Sequence, residues 1–303
     1  MIYLSRFKIL SPEQESGLSI TFPSGASVSV YDLFTEDEYY PVKILSHKLS
    51  SVDFKEITVL YGGNGSGKTT LLNIISEKLN IFRYTPYLQT FVFSEYIKYC
   101  QYKTEGKISL NSKFLSSDDI FSHILSVREG NKGIKQNKRE KLGYSSQAKY
   151  RPGEIYPHGV QIDFDDPDDV NRFMEYAEAR RKSRKQFVRS RAGTMQRQYS
   201  NGENALMFFD KQIEENALYL LDEPENSLSP RFQLELKTLI EDSVRFHKCQ
   251  FIIATHSPFM LSLRNAKVYN LDETPVTVEK WHELENIKLM YELFKENKEF
   301  FES

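Results

Sequence analysis

A chain of 303 residues with a formal net charge of −2 has room for one large α/β domain carrying an insertion, or for two smaller domains. The near-neutral balance excludes a whole-chain bias toward nucleic acid or membrane, so any such bias must be local. Cys100 and Cys249 lie far apart and form no CxxC pair, which speaks against a disulfide framework or zinc site and fits a reducing cytoplasm. No apolar run approaches the roughly 20 residues that span a bilayer, and Met1–Lys8 carries no cleavage signal, so a soluble cytoplasmic protein with no membrane association is expected.

Ile2–Leu10 alternates loosely, as a strand does, and Leu18–Phe22 and Ser27–Tyr31 follow after Pro, Gly and Ser. These three segments predict an N-terminal antiparallel β meander. Ile57–Tyr61 is a short apolar run of the kind found in buried strands. It feeds straight into Gly62-Gly63-Asn64-Gly65-Ser66-Gly67-Lys68-Thr69, after which Leu71, Leu72, Ile75 and Leu79 repeat at helical spacing.

From about Ile81 to Gln198 the character changes. Aromatics cluster between Phe82 and Tyr102, and a polar, loop-like stretch occupies 128–157. An acidic cluster, Asp163, Asp165, Asp166, Asp168 and Asp169, precedes a helix-like segment. Its C-terminal part carries Arg180, Arg181, Lys182, Arg184, Lys185, Arg189, Arg191 and Arg197, with no acid among them. We expect residues 81–198 to form an inserted, mainly helical lobe with a mobile loop near 128–157. The aromatics would be its core, and no heptad repeat supports a long coiled coil.

Order returns after Tyr199. The pattern predicts a helix from Gly202 to Asn216, a buried strand from Ala217 to Leu221, and a helix from Pro230 to His247. A second buried strand over Gln250–Ala254 leads to Thr255-His256-Ser257-Pro258. A strand near Lys267–Leu271 and a helix over Trp281–Phe301 close the chain. Strands alternating with helices imply an α/β fold with a mostly parallel sheet, its core formed by residues 1–80 and 199–303.

Strand, glycine loop and helix together form a P-loop, whose backbone N–H groups point inward at phosphate oxygens. Gly62, Gly63, Asn64, Gly65, Ser66, Gly67, Lys68, Thr69 and Thr70 would form the cradle, with Lys68 on the β- and γ-phosphates. The Thr69 hydroxyl and Asp222, at the end of an apolar strand, would hold Mg²⁺, and Glu223 would act as general base on the attacking water. Ser200-Asn201-Gly202-Glu203 reads as a helix capping box, and equally as a second phosphate site made of a hydroxyl, a small residue and a helix N-terminus. Such a site cannot reach the P-loop of its own chain and calls for a second protomer. His256 ends the next strand, where it would contact the γ-phosphate and orient water, or else be an ordinary buried histidine.

The ordered set GGNGSGKT, SNGE, LLDEPENSLSP and IIATHSPF resembles the ABC-type ATPases of the RecF/SMC-like, AAA-family branch, over Met1–Leu79 and Tyr199–Leu271. That resemblance implies a P-loop ABC-type nucleotide-binding domain using ATP and Mg²⁺. Lys68 and Thr69 would serve phosphate and metal, and Ser200 and Gly202 would be the signature acting in trans. Asp222 would be the Walker B aspartate, Glu223 the base, Asn226–Leu228 the loop signalling across a dimer, and His256 the switch histidine. SNGE stands where transporters carry SGGQ, and DEPENSLSP where they carry DEPTSALD. For the Q-loop glutamine Gln89 falls early, and Phe114–Asp118 supplies none.

The expectation is a cytoplasmic ATPase that closes as a head-to-tail homodimer, or a higher oligomer, around two ATP molecules. Relatives with the DEPE-x-x-LSP pattern serve in DNA repair or phage defence, commonly beside a nuclease. Too few residues follow His256 for a TOPRIM-type nuclease, so an effector would be a separate protein. Arg180–Arg197 would grip nucleic acid through its phosphates, or dock a protein partner. A transporter subunit and an ATP-locked scaffold with negligible turnover are the competing readings.

Overall fold

The computed structural model describes residues 1–21, 27–33, 40–86, 90–126, 200–226 and 228–302. The chain divides into two compact units, Met1–Phe121 with Ser200–Ser303, and Ser122–Tyr199. The first unit begins with β1 (Leu4–Lys8), α1 (Pro12–Ser16), β2 (Ser19–Thr21), β3 (Ser27–Ser29), α2 (Val30–Leu33), β4 (Ser51–Asp53), β5 (Ile57–Tyr61) and α3 (Lys68–Lys78). Next come β6 (Phe82–Arg83), α4 (Phe91–Tyr99), β7 (Gln101–Thr104) and β8 (Lys113–Ser116), and a helix over 117–126 (α5) leads out of the unit. After the return come α6 (Asn201–Gln212), β9 (Leu218–Asp222), α7 (Pro230–His247), β10 (Gln250–Thr255) and α8 (Pro258–Leu261). The chain closes with β11 (Lys267–Asn270), β12 (Thr277–Glu279) and α9 (Glu285–Glu296).

Seven strands form the central sheet in the order β12-β11-β5-β10-β9-β8-β6. All neighbours run parallel except the edge pair β11–β12. Every residue of β5 and β10 is buried, the state expected of parallel strands covered on both faces. α3 packs on β9 and β10 through Leu71, Leu72, Ile74 and Ile75, all without exposure. α7 begins with Pro230 at its first turn, exposes a charged face, and packs on β10, α6 and α8. The register pairs Thr255 with Tyr61 and Ala254 with Asp222 at the C-terminal ends of β5, β10 and β9, so three motif-bearing turns emerge side by side.

A second, three-stranded antiparallel sheet, β4-β1-β7, is joined to the first by side chains of β10 and β11: Tyr269 and Lys267 bond the backbone of Asp53, and Gln250 bonds that of β1 and its approach. Gln250, fully buried at the start of β10, accepts from the N–H groups of Tyr3 and Leu4 at 2.7 and 2.9 Å and donates to the carbonyls of Leu4 and Lys55 at 2.8 and 3.0 Å. Those four bonds use the amide's full capacity, so β1 is fixed without an unpaired polar group.

Two expectations need correction. The N-terminal strands are not a simple meander: β2 and β3 pair with each other, whereas β1 pairs with β4 and the distant β7. The insertion also starts later than residue 81. β6 and β8 extend the central sheet beyond β9, and α4 buries Val92, Phe93, Tyr96 and Ile97 within the first unit, so Phe93 and Tyr96 pack that unit's core, whereas Phe82, Tyr84, Phe91, Tyr99 and Tyr102 are exposed. The loop near 128–157, the acidic cluster at Asp163–Asp169, the basic run Arg180–Arg197 and Gln89 lie outside the described residues.

Candidate functional site

The glycine loop leaves β5 at Tyr61 and re-enters regular structure as α3. Two of its glycines have a local cause. A Cβ on Gly62 would lie 2.5 Å from the Ser66 hydroxyl oxygen, and Gly67 sits at φ 101° with Leu45 2.6 Å from where a Cβ would be. Gly67 caps α3 without any side-chain hydrogen bond, which leaves the first-turn N–H groups without a side-chain acceptor. The Ser66 hydroxyl is buried and has no partner. A left-handed glycine, an uncapped helix start and an orphaned hydroxyl in one loop suit an anion with several acceptor oxygens, as a nucleotide phosphate is.

Lys68 is only 4% exposed, and its ammonium donates back to the carbonyls of Gly62 and Gly63 at 2.8 and 2.9 Å. It also stands 4.0 Å from Glu223 Oε1. Thr69 is exposed and donates to Asp222 Oδ1 at 3.0 Å, while Thr70 beside it is buried. A hydroxyl and a carboxylate in contact form an oxygen-only pair that would suit Mg²⁺. Burial pushes the Asp222 carboxyl up to about 6, and the neighbouring Glu223 charge adds to this; the Thr69 hydrogen bond and the charges of Lys68 and Arg83 oppose it. A carboxyl so desolvated is one that a divalent cation would stabilise in its ionised form.

β9 stops after Asp222 because Glu223 adopts φ 47°, a left-handed conformation that is uncommon for a side chain of this size. Its N–H is caught by the Ala254 carbonyl of β10 at 2.9 Å, which fixes the turn. Asn226 donates to Glu223 Oε2 at 2.7 Å, and His256 Nδ1 faces Oε1 at 3.8 Å. The Glu223 carboxylate is therefore flanked on three sides by an amide, an imidazole and the loop lysine. His256 is half-exposed, so the ordinary buried-histidine reading does not describe it.

Ser200 caps α6: its Oγ accepts from the Glu203 N–H at 3.2 Å, and Glu203 accepts from the Ser200 N–H at 2.8 Å. Gly202 is buried against α7, where a Cβ would strike the Phe232 ring at 2.4 Å. α7 also meets the site from its next positions. Gln233 donates to the Leu228 carbonyl at 2.9 Å and accepts from the Ser257 hydroxyl at 2.6 Å, while Lys237 donates to Ser262 at 2.9 Å.

Two residues at the site went unread in the sequence. Asp272, after β11, accepts the Gly63 N–H at 2.9 and 3.0 Å and so anchors the start of the loop. Glu225, two residues past Glu223, is 5% exposed and accepts from the Thr255 hydroxyl and from the His256 N–H at 3.2 Å. The sequence signal for it is the third acid of Asp222-Glu223-Pro224-Glu225. Phe114–Asp118 does lie beside the site, since Ser116 stands in register with Asp222. It brings no glutamine; Asp119 instead accepts from the Ser116 N–H at 2.8 Å and turns the chain into α5.

Residues 189–261 match the family model of an AAA ATPase domain. No curated protein matches the chain. Among solved structures, the chain is similar to the Smc head domain of Pyrococcus furiosus, bound there to the C-terminal domain of ScpA: 14% identity, 97% of this chain and 100% of that chain covered, TM-score 0.41. It is also similar to the SMC head domain of Thermotoga maritima, at 10% identity, 92% and 98% coverage and TM-score 0.37. A third likeness is to the ATP-binding cassette MJ0796, a dimer bound to ADP and Pi in a post-hydrolysis state, at 14% identity, 94% and 100% coverage and TM-score 0.36. Among the described residues, no helix is long and apolar enough to cross a membrane. Residues 189–261 thus resemble an AAA ATPase domain, and the turn from β5 into α3 has the geometry of a phosphate-binding P-loop on a mostly parallel sheet.

Proposed function

We propose that the chain binds ATP with Mg²⁺ and hydrolyses it between two copies of itself. The observation that carries this reading is the convergence of Lys68, the Thr69–Asp222 pair, Glu223 and His256 at the C-terminal ends of β5, β9 and β10. Mg²⁺ would offset charge on the β- and γ-phosphates; the rest of the work is done by the chain. Lys68 exchanges its two carbonyl partners for phosphate oxygens. Glu223, oriented by Asn226, accepts the proton of the attacking water, and His256 holds the terminal phosphate in line. Little covalent work is asked of the protein; catalysis is positioning and charge stabilisation.

The capping box at Ser200 presents a helix N-terminus, with Gly202 seated behind it, and we assign it to the partner's nucleotide. Asn226–Leu228 would carry the signal across that interface. The output we favour is an ATP-gated step in DNA repair or phage defence, with a separate effector protein such as a nuclease and with Arg180–Arg197 as a possible nucleic-acid grip. The sequence pattern DEPE-x-x-LSP supports it over a transporter subunit.

Turnover by the purified chain, with Lys68→Ala and Ser200→Arg variants assayed alone and mixed, tests the reading. Each variant alone should be inactive. The mixture should recover part of the activity, because one composite site then has both halves intact. A wild type that stays monomeric in ATP by light scattering would overturn the trans assignment.

A further inference from the structure

Glu225 is an acid at the site that the proposed mechanism leaves without a task. It is nearly fully buried, yet only one of its oxygens is engaged: Oε1 accepts from the Thr255 hydroxyl and the His256 N–H, and Oε2 has no partner. The Thr255 oxygen in turn accepts from the Ser257 N–H at 3.0 Å. Three consecutive residues at the end of β10 are thereby tied to one carboxylate on the loop that follows β9. His256 Nδ1 stands 3.9 Å from Glu225 Oε1 and 3.8 Å from Glu223 Oε1, so the same ring nitrogen faces both acids. Burying a carboxylate with an unpaired oxygen is unfavourable, and packing alone would be served better by an apolar or amide side chain.

We infer that Glu225 is a positioning residue for hydrolysis, which locks the turn bearing His256 to the loop bearing Glu223 and so fixes imidazole and base relative to each other. The inference rests on the ATPase reading above. Glu225 does not touch the nucleotide in this scheme. It acts through His256: with the backbone N–H held and Nδ1 turned toward the two carboxylates, Nε2 lies on the ring's far side, free for the phosphate. Thr255, otherwise an ordinary end-of-strand residue, becomes part of the same device.

The test uses the full chain and compares wild type, Glu225→Ala, Glu225→Gln, Thr255→Val and Lys68→Ala. Steady-state kinetics give kcat and KM, and calorimetry gives ATP affinity. A displaced catalytic geometry costs on the order of 100-fold, so Glu225→Ala should lower kcat by about that factor while KM and ATP affinity stay within about twofold. Glu225→Gln should recover most of the rate, because an amide oxygen accepts both donors and the unpaired oxygen had no contact to lose. Thr255→Val, which keeps the shape and removes both the donor to Glu225 and the acceptor of the Ser257 N–H, should lower kcat by about tenfold, and it decides the matter if the alanine variant does not fold.

Turnover that depends on Lys68 but is unchanged in Glu225→Ala and Thr255→Val would overturn this inference alone. So would a parallel fall of kcat and ATP affinity, which marks general loosening of the fold. A Glu225→Gln rate as low as that of Glu225→Ala would show that charge, not position, is what matters, and would overturn it too. A wild type without turnover would overturn both readings.

Discussion

The two ends of β10 obey opposite rules. At Gln250 every donor and acceptor of the side chain is used, and all four of its partners are backbone groups of β1 or the turn before β5. At Thr255–His256 the neighbourhood holds a carboxylate oxygen and a serine hydroxyl with no partner, a half-exposed imidazole, and a lysine resting on carbonyls of its own loop. The strand between them is uniformly buried. One end is closed to further bonding and serves stability; the other keeps bonding capacity in reserve, which is what a site for a charged ligand requires.

Substitutions at the two ends should separate stability from turnover, and the largest effect belongs to the closed end. Gln250→Leu strips partners from the N–H groups of Tyr3 and Leu4 and the carbonyls of Leu4 and Lys55, at a cost of about 5 kcal/mol, enough to leave little folded protein. Urea unfolding followed by circular dichroism would measure it; a loss under about 1 kcal/mol would break the comparison. At the open end, Glu223→Gln should lower kcat by about 10³, or about 4 kcal/mol of barrier, with the melting temperature and ATP affinity unchanged. Such a variant should accumulate in the ATP-bound dimer, visible by light scattering.

Asp222→Asn sharpens the contrast, because here a loss of function should bring a gain in stability. Burial lifts the folded-state carboxyl from 3.8 to about 6, so between those pH values the folded protein keeps a proton that the unfolded chain releases. Stability is thereby lost as pH rises through this window, and above pH 6 the ionised Asp222 costs about 3 kcal/mol. Asparagine does not titrate. With EDTA present, Asp222→Asn should be more stable than wild type above pH 6, and the advantage should vanish near pH 4. Mg²⁺-dependent turnover should be lost at every pH. The smallest effect should come from Arg264→Ala at an exposed ion pair with Glu241, 3.6 Å apart, where less than about 1 kcal/mol is expected.

What the sequence disclosed was local, and what it hid was long-range. β5, β9 and β10 were legible because strands buried on both faces read as unbroken apolar runs, and each leads into a motif. α7 was legible to the residue, since Pro230 opens it. β6, with two residues, and β12, with three largely exposed ones, are too short to show a period. The pairing of β1 with β7 joins segments almost a hundred residues apart, and nothing in the local pattern of either names the other. The site divides in the same way. Lys68, Thr69, Asp222, Glu223 and His256 announce themselves through motif spacing, whereas Glu225 and Asp272 matter only because folding brings them to Thr255 and to Gly63.

The first turns of α7 carry a mechanical consequence. Phe232 backs the glycine of the helix that Ser200 opens, Gln233 grips both the loop after Glu223 and the serine after His256, and Lys237 reaches α8. At 1.5 Å of rise per residue these three positions span about 8 Å of helix axis. A junction that short has almost no compliance. Displacing the histidine turn by an ångström must drag the start of α6 with it or break the bond between Ser257 and Gln233. The starts of α6 and α7 and the turn after β10 should therefore move as one stiff block, and hinge bending belongs elsewhere in the molecule.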